Sequence, residues 1–239
     1  MESFEGKVAL ITGGSKGIGY GIAEALLNLN MRVAITSRSE ESAVRAAKEL
    51  TDIGRGKVLG LVADVRNYDS QLEAAKVVME KWGQIDVLVA NAGIGYFGSI
   101  EDLSVDEWQK TIDTNLSGVF YSIKAALPAL KRSQGYVITI SSLAGTNFFE
   151  GGAAYNASKF GVTGMTQAIM LDLRKLGINV STIMPGSVST HFNDHEPSDK
   201  DSWKIQKEDM GELVVNLLRM NPRTLPSKIE VRPSRPPQK

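Results

Sequence analysis

Short apolar runs alternate with longer amphipathic stretches along most of the chain. Runs such as 8–11 are apolar at every position, which is typical of strands buried on both faces of a parallel sheet. The amphipathic stretches between them have the period and the length of helices. The pattern predicts strands at 8–11, 32–36, 58–63, 85–90, 136–140, 178–184 and 228–231, and helices at 17–29, 40–50, 68–82, 104–128, 154–176 and 207–219.

This alternation predicts the fold class. Strands and helices that follow one another at this spacing form right-handed βαβ units, with a parallel sheet between two helical layers. We therefore expect an α/β fold, a single-domain doubly wound (Rossmann-type) parallel sheet of about seven strands with helices on both faces. Residues 1–232 are predicted to form this one domain, followed by a Pro-rich tail at 233–239.

Two local signals concern the long fourth helix. Ser104, with Glu107 three residues later, has the pattern of a capping box, so the helix is expected to begin there. Pro128 has no backbone N–H to continue a helix, and it is expected to kink or end this one.

Composition and charge exclude several classes of protein. The chain has 239 residues, and its 27 Lys and Arg balance its 27 Asp and Glu, so we expect neither nucleic acid nor anionic membrane as a partner. The absence of cysteine excludes disulfides, thiolate metal sites and a Cys nucleophile. The acidic N-terminal residues do not have the pattern of a signal peptide, and the apolar runs are too short to span a bilayer. We expect a cytoplasmic protein.

A glycine-rich turn, Thr12–Gly19, stands directly between the first strand and the first helix. Glycine permits positive φ and lets the backbone approach a ligand closely. The free N–H groups and the positive dipole end of the following helix favour a pyrophosphate. The alternative is a tight strand–helix turn without a ligand. The order of the elements and the residues downstream favour a dinucleotide site, although the spacing is G-x-x-x-G-x-G rather than G-x-G-x-x-G.

The residues after the second strand bear on the choice of nucleotide. An acid at this position would bind the ribose 2′-OH of NAD, but the chain has Ser37 and Arg38 there, with Lys16 inside the glycine-rich turn. Two cations without an acid favour a 2′-phosphate, so we predict NADP(H) as the cofactor. The alternative is an ordinary surface arginine that pairs with Glu40 or Glu41.

A Tyr and a Lys four residues apart open the helix that follows the fifth strand. Tyr155 and Lys159 lie on one helix face, and Ser142 ends the preceding strand. An ammonium near a phenol stabilises the phenolate and lowers its pKa toward the range of general acid–base catalysis. Because strand carboxyl ends form the active sites of open α/β sheets, Ser142 is placed to bind a substrate oxygen beside Tyr155.

Together these motifs closely resemble those of the short-chain dehydrogenase/reductase family, over nearly the whole chain, and most of all its 3-oxoacyl-carrier-protein reductase-like and carbonyl reductase group. The departures are Ala90, where the family usually has Asn, and a short segment at about 190–206, where the family has its substrate lid. The matching residues are Thr12–Gly19, Asp64, Val65, Ala90–Gly93, Asn115, Ser142, Tyr155, Lys159, Pro185, Gly186, Val188 and Thr190.

The resemblance implies a catalytic set of Asn115, Ser142, Tyr155 and Lys159. Tyr155 would exchange a proton with the substrate oxygen, which Ser142 would orient. Lys159 would lower the pKa of Tyr155 and bind the nicotinamide ribose. Asn115 would hold a water that links Lys159 to solvent. Residues 1–232 would then form a dinucleotide-binding catalytic domain.

The resemblance and the glycine-rich turn also define a predicted cofactor site. Asp64 and Val65 would contact the adenine, and Asn91 and Gly93 would lie near the ribose. The segment 183–190 would cover the nicotinamide. The complete predicted set is Gly13, Ser15, Lys16, Gly17, Ile18, Gly19, Ser37, Arg38, Asp64, Val65, Asn91, Ala92, Gly93, Tyr155, Lys159, Pro185, Gly186, Val188 and Thr190.

The expected function is oxidoreduction between NADP(H) and a ketone or aldehyde, or the corresponding secondary alcohol. The expected partners are this small-molecule substrate and further copies of the chain, in a dimer or tetramer. One alternative is a non-catalytic NADP(H)-binding redox sensor. Within the enzyme class, reductases of 3-oxoacyl thioesters, of sugars or polyols and of pteridines stay open, because a few pocket side chains decide between them.

Two further sets of residues bear on the substrate pocket. His191 and His195 stand four residues apart, but no third ligand accompanies them, so no metal site is expected. Several apolar residues fall at strand carboxyl ends and form either a substrate wall or part of the core. These are Phe97, Leu143, Phe148, Phe149 and Phe192.

Overall fold

The computed structural model describes residues 3–235, apart from the side chain of residue 194. Residues 1 and 2 lie outside the described residues, and so do residues 236–239, which are part of the predicted Pro-rich tail. No helix within 3–235 combines the length and the apolar character that crossing a membrane requires.

Seven parallel strands form one sheet in the order β3-β2-β1-β4-β5-β6-β7. The chain starts in the middle of the sheet, moves outward to β3, and then crosses back to β4 on the other side of β1. This doubly wound topology confirms the predicted fold, and it opens a crevice at the carboxyl ends of β1 and β4. The strands are β1 Val8–Ile11, β2 Arg32–Ser37, β3 Lys57–Val62, β4 Val87–Ala90, β5 Tyr136–Ile140, β6 Asn179–Pro185 and β7 Lys228–Val231.

Helices cover both faces of the sheet. Alternate residues of the strands point to opposite sides, so β1 sends Ala9 and Ile11 into one core and Val8 and Leu10 into the other. The first core includes α1, α2 and α7, and the second includes α3, α5 and α6. The helices are α1 Gly17–Leu27, α2 Glu40–Ile53, α3 Tyr68–Trp82, α4 Val105–Ile112, α5 Gly118–Ser133, α6 Ala153–Leu173 and α7 Lys207–Leu218.

The predicted helix at 104–128 is interrupted where the sequence pattern shows no break. The capping box is present, with Ser104 Oγ accepting a hydrogen bond from the Glu107 N–H at 3.2 Å. Residues Asp113–Ser117 then form one π-helical turn between α4 and α5. Pro128 does not end α5, so that part of the prediction was wrong. The buried side chains around Pro128 pack into the core, and this packing outweighs one missing backbone hydrogen bond.

The chain between β6 and α7 crosses the carboxyl edge of the sheet. This stretch, segment 190–206, contains two short 3₁₀ turns at Phe192–Asp194 and Asp199–Asp201. A β-bridge between Val188, just before the segment, and Ile205, near its end, holds the start and the end of this crossing side by side.

Candidate active site

A cleft of about 700 Å³ lies at the carboxyl ends of the strands. Its wall contains the loop after β1, the ends of β2, β4, β5 and β6, and part of segment 190–206. Most of the predicted site residues lie on this wall: Gly13, Ser15, Lys16, Gly17, Ile18, Ser37, Arg38, Val65, Asn91, Ala92, Gly93, Ser142, Tyr155, Lys159, Pro185, Gly186, Val188 and Thr190. Gly19, Asp64 and Asn115 are not among the wall residues.

Neighbouring residues contact two of these three residues closely. Gly19 is buried in the first turn of α1, where a Cβ atom would stand 2.6 Å from Asn91 Nδ2. The Asp64 carboxylate binds the Arg66 guanidinium, with Oδ2 and Nη2 2.6 Å apart. This bond holds the pKa of Asp64 below its usual value. Arg66 therefore binds the carboxylate group of Asp64, and the contact of Asp64 with adenine stays a prediction.

The glycine-rich turn has the conformation that its sequence predicts. Gly13 and Gly17 have φ of +64° and +59°, which side chains other than glycine rarely adopt. A Cβ at Gly13 would also stand 2.9 Å from Ala92 Cα. Lys16 is the N-cap of α1, and its side chain does not cap the first turn. The N–H groups of this turn therefore form the kind of helix N-terminus that binds anions.

Thr12 and Asn91 join the glycine-rich turn to the end of β4. Thr12 Oγ1 accepts hydrogen bonds from the N–H groups of Asn91 at 3.0 Å and Ala92 at 3.2 Å. In return, Asn91 Nδ2 donates to the carbonyl oxygens of Thr12 at 2.9 Å and Gly13 at 3.1 Å. The Asn91 amide thus fixes the shape of the turn. Thr12 belongs to the predicted glycine-rich turn, but it was not among the predicted cofactor-site residues, and its bonds to Asn91 and Ala92 show its structural role.

Asn115 lies in the π-helical turn and is fully buried. Its Nδ2 donates to the Ile94 carbonyl at 2.8 Å and to Ser158 Oγ at 3.0 Å, and its Oδ1 accepts from the Ile94 N–H at 2.8 Å. The side chain therefore ties the loop after β4 to α6. This explains why Asn115 is not on the wall of the cleft, and its water-holding role stays a prediction. The partner residue Ser158 was also missed by sequence reasoning.

Tyr155 and Lys159 lie together on the wall, on one face of α6. Lys159 Nζ donates to the Ile140 carbonyl at 3.0 Å and lies 5.6 Å from the centre of the Tyr155 ring. Burial lowers the pKa of Lys159 to about 8. Burial also raises the pKa of Tyr155, and a hydrogen bond to Ser142 only partly opposes this.

The direction of this pKa shift corrects the expectation for Tyr155. We predicted that Lys159 lowers the pKa of the phenol, but in the structure desolvation is the largest effect and the net direction is upward. The reason is that the lysine amine contacts the Ile140 carbonyl and the face of the ring, while aromatic side chains surround the phenol.

Ser141 and Ser142 follow β5 beside these two side chains. Ser142 Oγ accepts a hydrogen bond from the Ala144 N–H at 3.1 Å and donates to the Pro185 carbonyl at 3.5 Å, and its hydroxyl group lowers the pKa of Tyr155. Buried Ser141 bonds to Thr163 Oγ1 at 2.9 Å and donates to the Lys159 carbonyl at 3.1 Å. Both serines lie on the cleft wall, and Ser141 also anchors α6 to the sheet.

Aromatic rings surround Tyr155 at one end of the cleft. The ring centre of Phe97 is 5.4 Å from that of Tyr155, and the ring centre of Phe192 is 5.8 Å from it. Phe149 contacts Phe97 at 5.9 Å. We call Phe97, Phe149 and Phe192 the aromatic cluster. Phe148, also predicted as a wall residue, is 88% exposed and forms no ring contact with this cluster among the described residues.

The parallel sheet and the glycine-rich turn at its carboxyl edge define a nucleotide-binding α/β protein. The family model for short chain dehydrogenase matches residues 7–201. The chain belongs to this family and is an oxidoreductase. Its members use a nicotinamide dinucleotide as cofactor.

Relatives and solved structures cover most of the chain. Trans-4-hydroxycyclohexanecarboxylate dehydrogenase from Sinomonas cyclohexanicum is 42% identical over 189 residues, which are 77% of this chain and 73% of that protein. An alcohol dehydrogenase from the archaeon Thermococcus sibiricus, solved with 5-hydroxy-NADP, has a TM-score of 0.90 and 31% identity over 98% of this chain and 99% of its own. A 3-ketoacyl-(acyl-carrier-protein) reductase from Brucella melitensis, solved with NADH, has a TM-score of 0.88 and 26% identity. The match covers 97% of this chain and 99% of that protein. Similar structures thus include both an NADP-type and an NADH complex.

Proposed function

We propose that the protein transfers hydride between NADP(H) and a ketone or aldehyde, or the corresponding secondary alcohol, with Tyr155 as the general acid and base. The observation that carries this proposal is that Ser142, Tyr155 and Lys159 share one cleft wall with the glycine-rich turn. A non-catalytic redox sensor needs the nucleotide site alone. The convergence of hydroxyl, phenol and amine therefore favours the enzyme.

The residues of the cleft fit a bound dinucleotide. Thr36 and Thr114 line the cleft, and their buried hydroxyl groups have no hydrogen-bond partner within 3–235, so a polar ligand would satisfy them. The uncapped first turn of α1 would hold the pyrophosphate. Ser37 and Arg38 would hold the adenosine end, while Lys159 would hold the nicotinamide ribose. When bound, this cofactor supplies or accepts the hydride.

The side chains around Tyr155 supply the proton chemistry. The raised pKa keeps the phenol protonated, which suits it to donate a proton to a carbonyl oxygen during reduction. Ser142, which lies on the same cleft wall, would hold the same oxygen. The charge on Lys159 beside the ring would stabilise the phenolate that remains after proton transfer.

We also propose that residues 1–232 form one catalytic domain in which segment 190–206 covers the substrate. The support is Phe192, which brings this segment into contact with Tyr155 and Phe97. Phe192 is the member of the aromatic cluster that lies on the cleft wall, and with Phe97 packed against it, it would form an apolar contact with the substrate. Because a relative is named for trans-4-hydroxycyclohexanecarboxylate, cyclic ketones and alcohols are the substrates to test first. 3-Oxoacyl thioesters, sugars or polyols and pteridines form the comparison set.

The first test of the proposed function is turnover. We expect the purified protein to oxidise NADPH in the presence of a cyclic ketone, measured by the loss of nicotinamide absorbance. Tight binding of NADPH without turnover of any compound in the comparison set would instead support the redox sensor.

Replacing Arg38 with Ala tests the cofactor preference. Arg38 is exposed at the mouth of the cleft, and no carboxylate within 3–235 forms an ion pair with it. Because it would bind the 2′-phosphate, we expect kcat/KM for NADPH to fall about tenfold to a hundredfold, with kcat/KM for NADH unchanged. Arg45→Ala, which removes an arginine paired with Glu41 on α2, is the control. Equal efficiency of the wild type with both cofactors would contradict the preference.

We propose that the chain forms a homo-oligomer through α4, α5 and α6. Large apolar side chains are exposed on each of these helices, namely Trp108, Phe120 and Phe160. A second copy of the chain would cover them. A monomer in sedimentation experiments at micromolar concentration would contradict this assembly.

A further inference from the structure

The charges on the wall of the cleft are all basic. The titrating wall residues other than tyrosines are Lys16, Arg38, Lys159, Lys204, His191 and His195, and no Asp or Glu is among the described wall residues. The whole chain is neutral, so the asymmetry is local. A cleft lined by charges of one sign attracts ligands of the opposite sign.

These basic residues lie on different parts of the wall. Lys16 and Arg38 belong to the glycine-rich turn and the end of β2, where the dinucleotide would bind. Lys204 and His195 belong to segment 190–206, which also carries Phe192. Because the Phe192 ring contacts Tyr155, this segment covers the reactive end of the cleft. The proposed cofactor contacts account for Lys16 and Arg38, but they give no role to Lys204 and His195.

A buried carboxylate holds the second pair in place. The Asp201 side chain is 6% exposed and is not on the wall. Its Oδ1 binds Lys204 Nζ at 2.5 Å, and its Oδ2 binds His195 Nε2 at 2.5 Å. The Ser198 N–H, at 3.3 Å, and Ser189 Oγ, at 3.4 Å, also donate to Oδ2. The ion pair with Lys204, followed by the bond to His195, holds the pKa of Asp201 far below its usual value. Asp201 is thus a positioning residue behind the wall.

Lys204 keeps donors for a ligand. An ammonium group has three N–H donors, of which Asp201 takes one, while the Nε2 atom of His195 is engaged by Asp201. The side chains of Lys204 and His195 remain 20% and 40% exposed. Asp201 offsets part of the Lys204 charge, but an ammonium group held in place loses less side-chain entropy on binding a carboxylate than a mobile surface lysine does.

We infer that Lys204, held by Asp201 beside His195, forms an oxyanion subsite that recognises a carboxylate on the substrate. The aromatic cluster would contact the apolar part of the same molecule. The substrate class is therefore a ketone or secondary alcohol with an apolar body and an acid group. This inference rests on the proposed function, because that function defines which end of the cleft holds the substrate.

Binding of an unreactive acid tests the subsite without turnover. We expect NADP⁺-saturated protein to bind cyclohexanecarboxylate about tenfold to a hundredfold more tightly than cyclohexanecarboxamide, measured by calorimetry. Lys204→Met should remove this preference, and Lys204→Arg should keep most of it. Lys200→Met, on the same segment but not on the cleft wall, should leave it unchanged.

Three results would overturn the subsite. The first is that the wild type does not bind the acid more tightly than the amide. The second is that Lys204→Met weakens both ligands equally, which would indicate damage to segment 190–206. The third is weaker NADP⁺ binding in Lys204→Met with an unchanged acid preference, which would assign the pair to a cofactor phosphate.

Turnover separates this inference from the proposed function. We expect 4-oxocyclohexanecarboxylate to be reduced with a higher kcat/KM than 4-oxocyclohexanecarboxamide. Equal reduction of the two ketones leaves the proposed function intact and overturns the subsite. Acid-selective binding without reduction of either ketone overturns the proposed function for these substrates and supports the subsite.

Discussion

Tyr155→Phe is expected to lower kcat about a hundredfold to ten-thousandfold, with the Kd for NADPH changed by less than about twofold. The substitution removes the phenol hydroxyl, which would exchange the proton with the substrate oxygen. It keeps the ring that packs against Phe97 and Phe192, so the shape of the cleft is preserved. Steady-state kinetics with a cyclic ketone and NADPH titration by fluorescence measure the two quantities.

The matched control for this experiment is Tyr121→Phe, which removes a phenol hydroxyl on α5, outside the wall of the cleft. Its kcat should equal that of the wild type. If Tyr155→Phe retained most of its turnover while the control behaved as expected, Tyr155 would not be the acid and base. The cleft would then need another proton donor, and the proposed mechanism would fail.

Lys159→Met is expected to change activity and stability in opposite directions. The pKa of Lys159 falls from 10.5 to about 8, so burial of the charged amine costs roughly 3 kcal/mol of folding free energy. Loss of the hydrogen bond to the Ile140 carbonyl returns about 1 kcal/mol of this cost. We therefore expect the free energy of unfolding at pH 7 to rise by about 2 kcal/mol, while turnover falls at least about a hundredfold.

The pH dependence of this stability difference has a definite sign. Below about pH 8 the amine is protonated in both the folded and unfolded states, so the full cost of burial is present. Between about pH 8 and 10.5 the unfolded state binds more protons, so the wild type gains stability relative to Lys159→Met as the pH rises. The advantage of the variant should largely disappear near pH 10.5.

Urea denaturation of the wild type and the variant at pH 7 and at pH 10 measures this difference. Lys175→Met, which replaces an exposed lysine after α6, is the control and should show little change at either pH. A stability difference that is the same at both pH values would show that the folded amine binds its proton as tightly as the unfolded one, so that burial does not lower the pKa of Lys159. The cost of burial assigned to Lys159 would then be wrong.

The pocket residues show how far local patterns predict a site. The glycine-rich turn and the four-residue spacing of Tyr155 and Lys159 are visible in the sequence, because they depend on one turn and one helix face. Asn115 was predicted for the same site, but its hydrogen bonds to Ile94 and Ser158 join segments that are distant in sequence. No pattern within one element shows such a contact.

The sequence by itself determined the order of strands and helices, the doubly wound sheet and the edge at which the cleft lies. These features follow from apolar periodicity and from backbone preferences of neighbouring residues. The tertiary structure alone decided that α5 continues past Pro128, that burial raises the pKa of Tyr155, and that Asp201 holds two basic side chains at the cleft. Packing, desolvation and ion pairing depend on which distant residues meet and how much water they exclude, and the linear pattern does not contain that information.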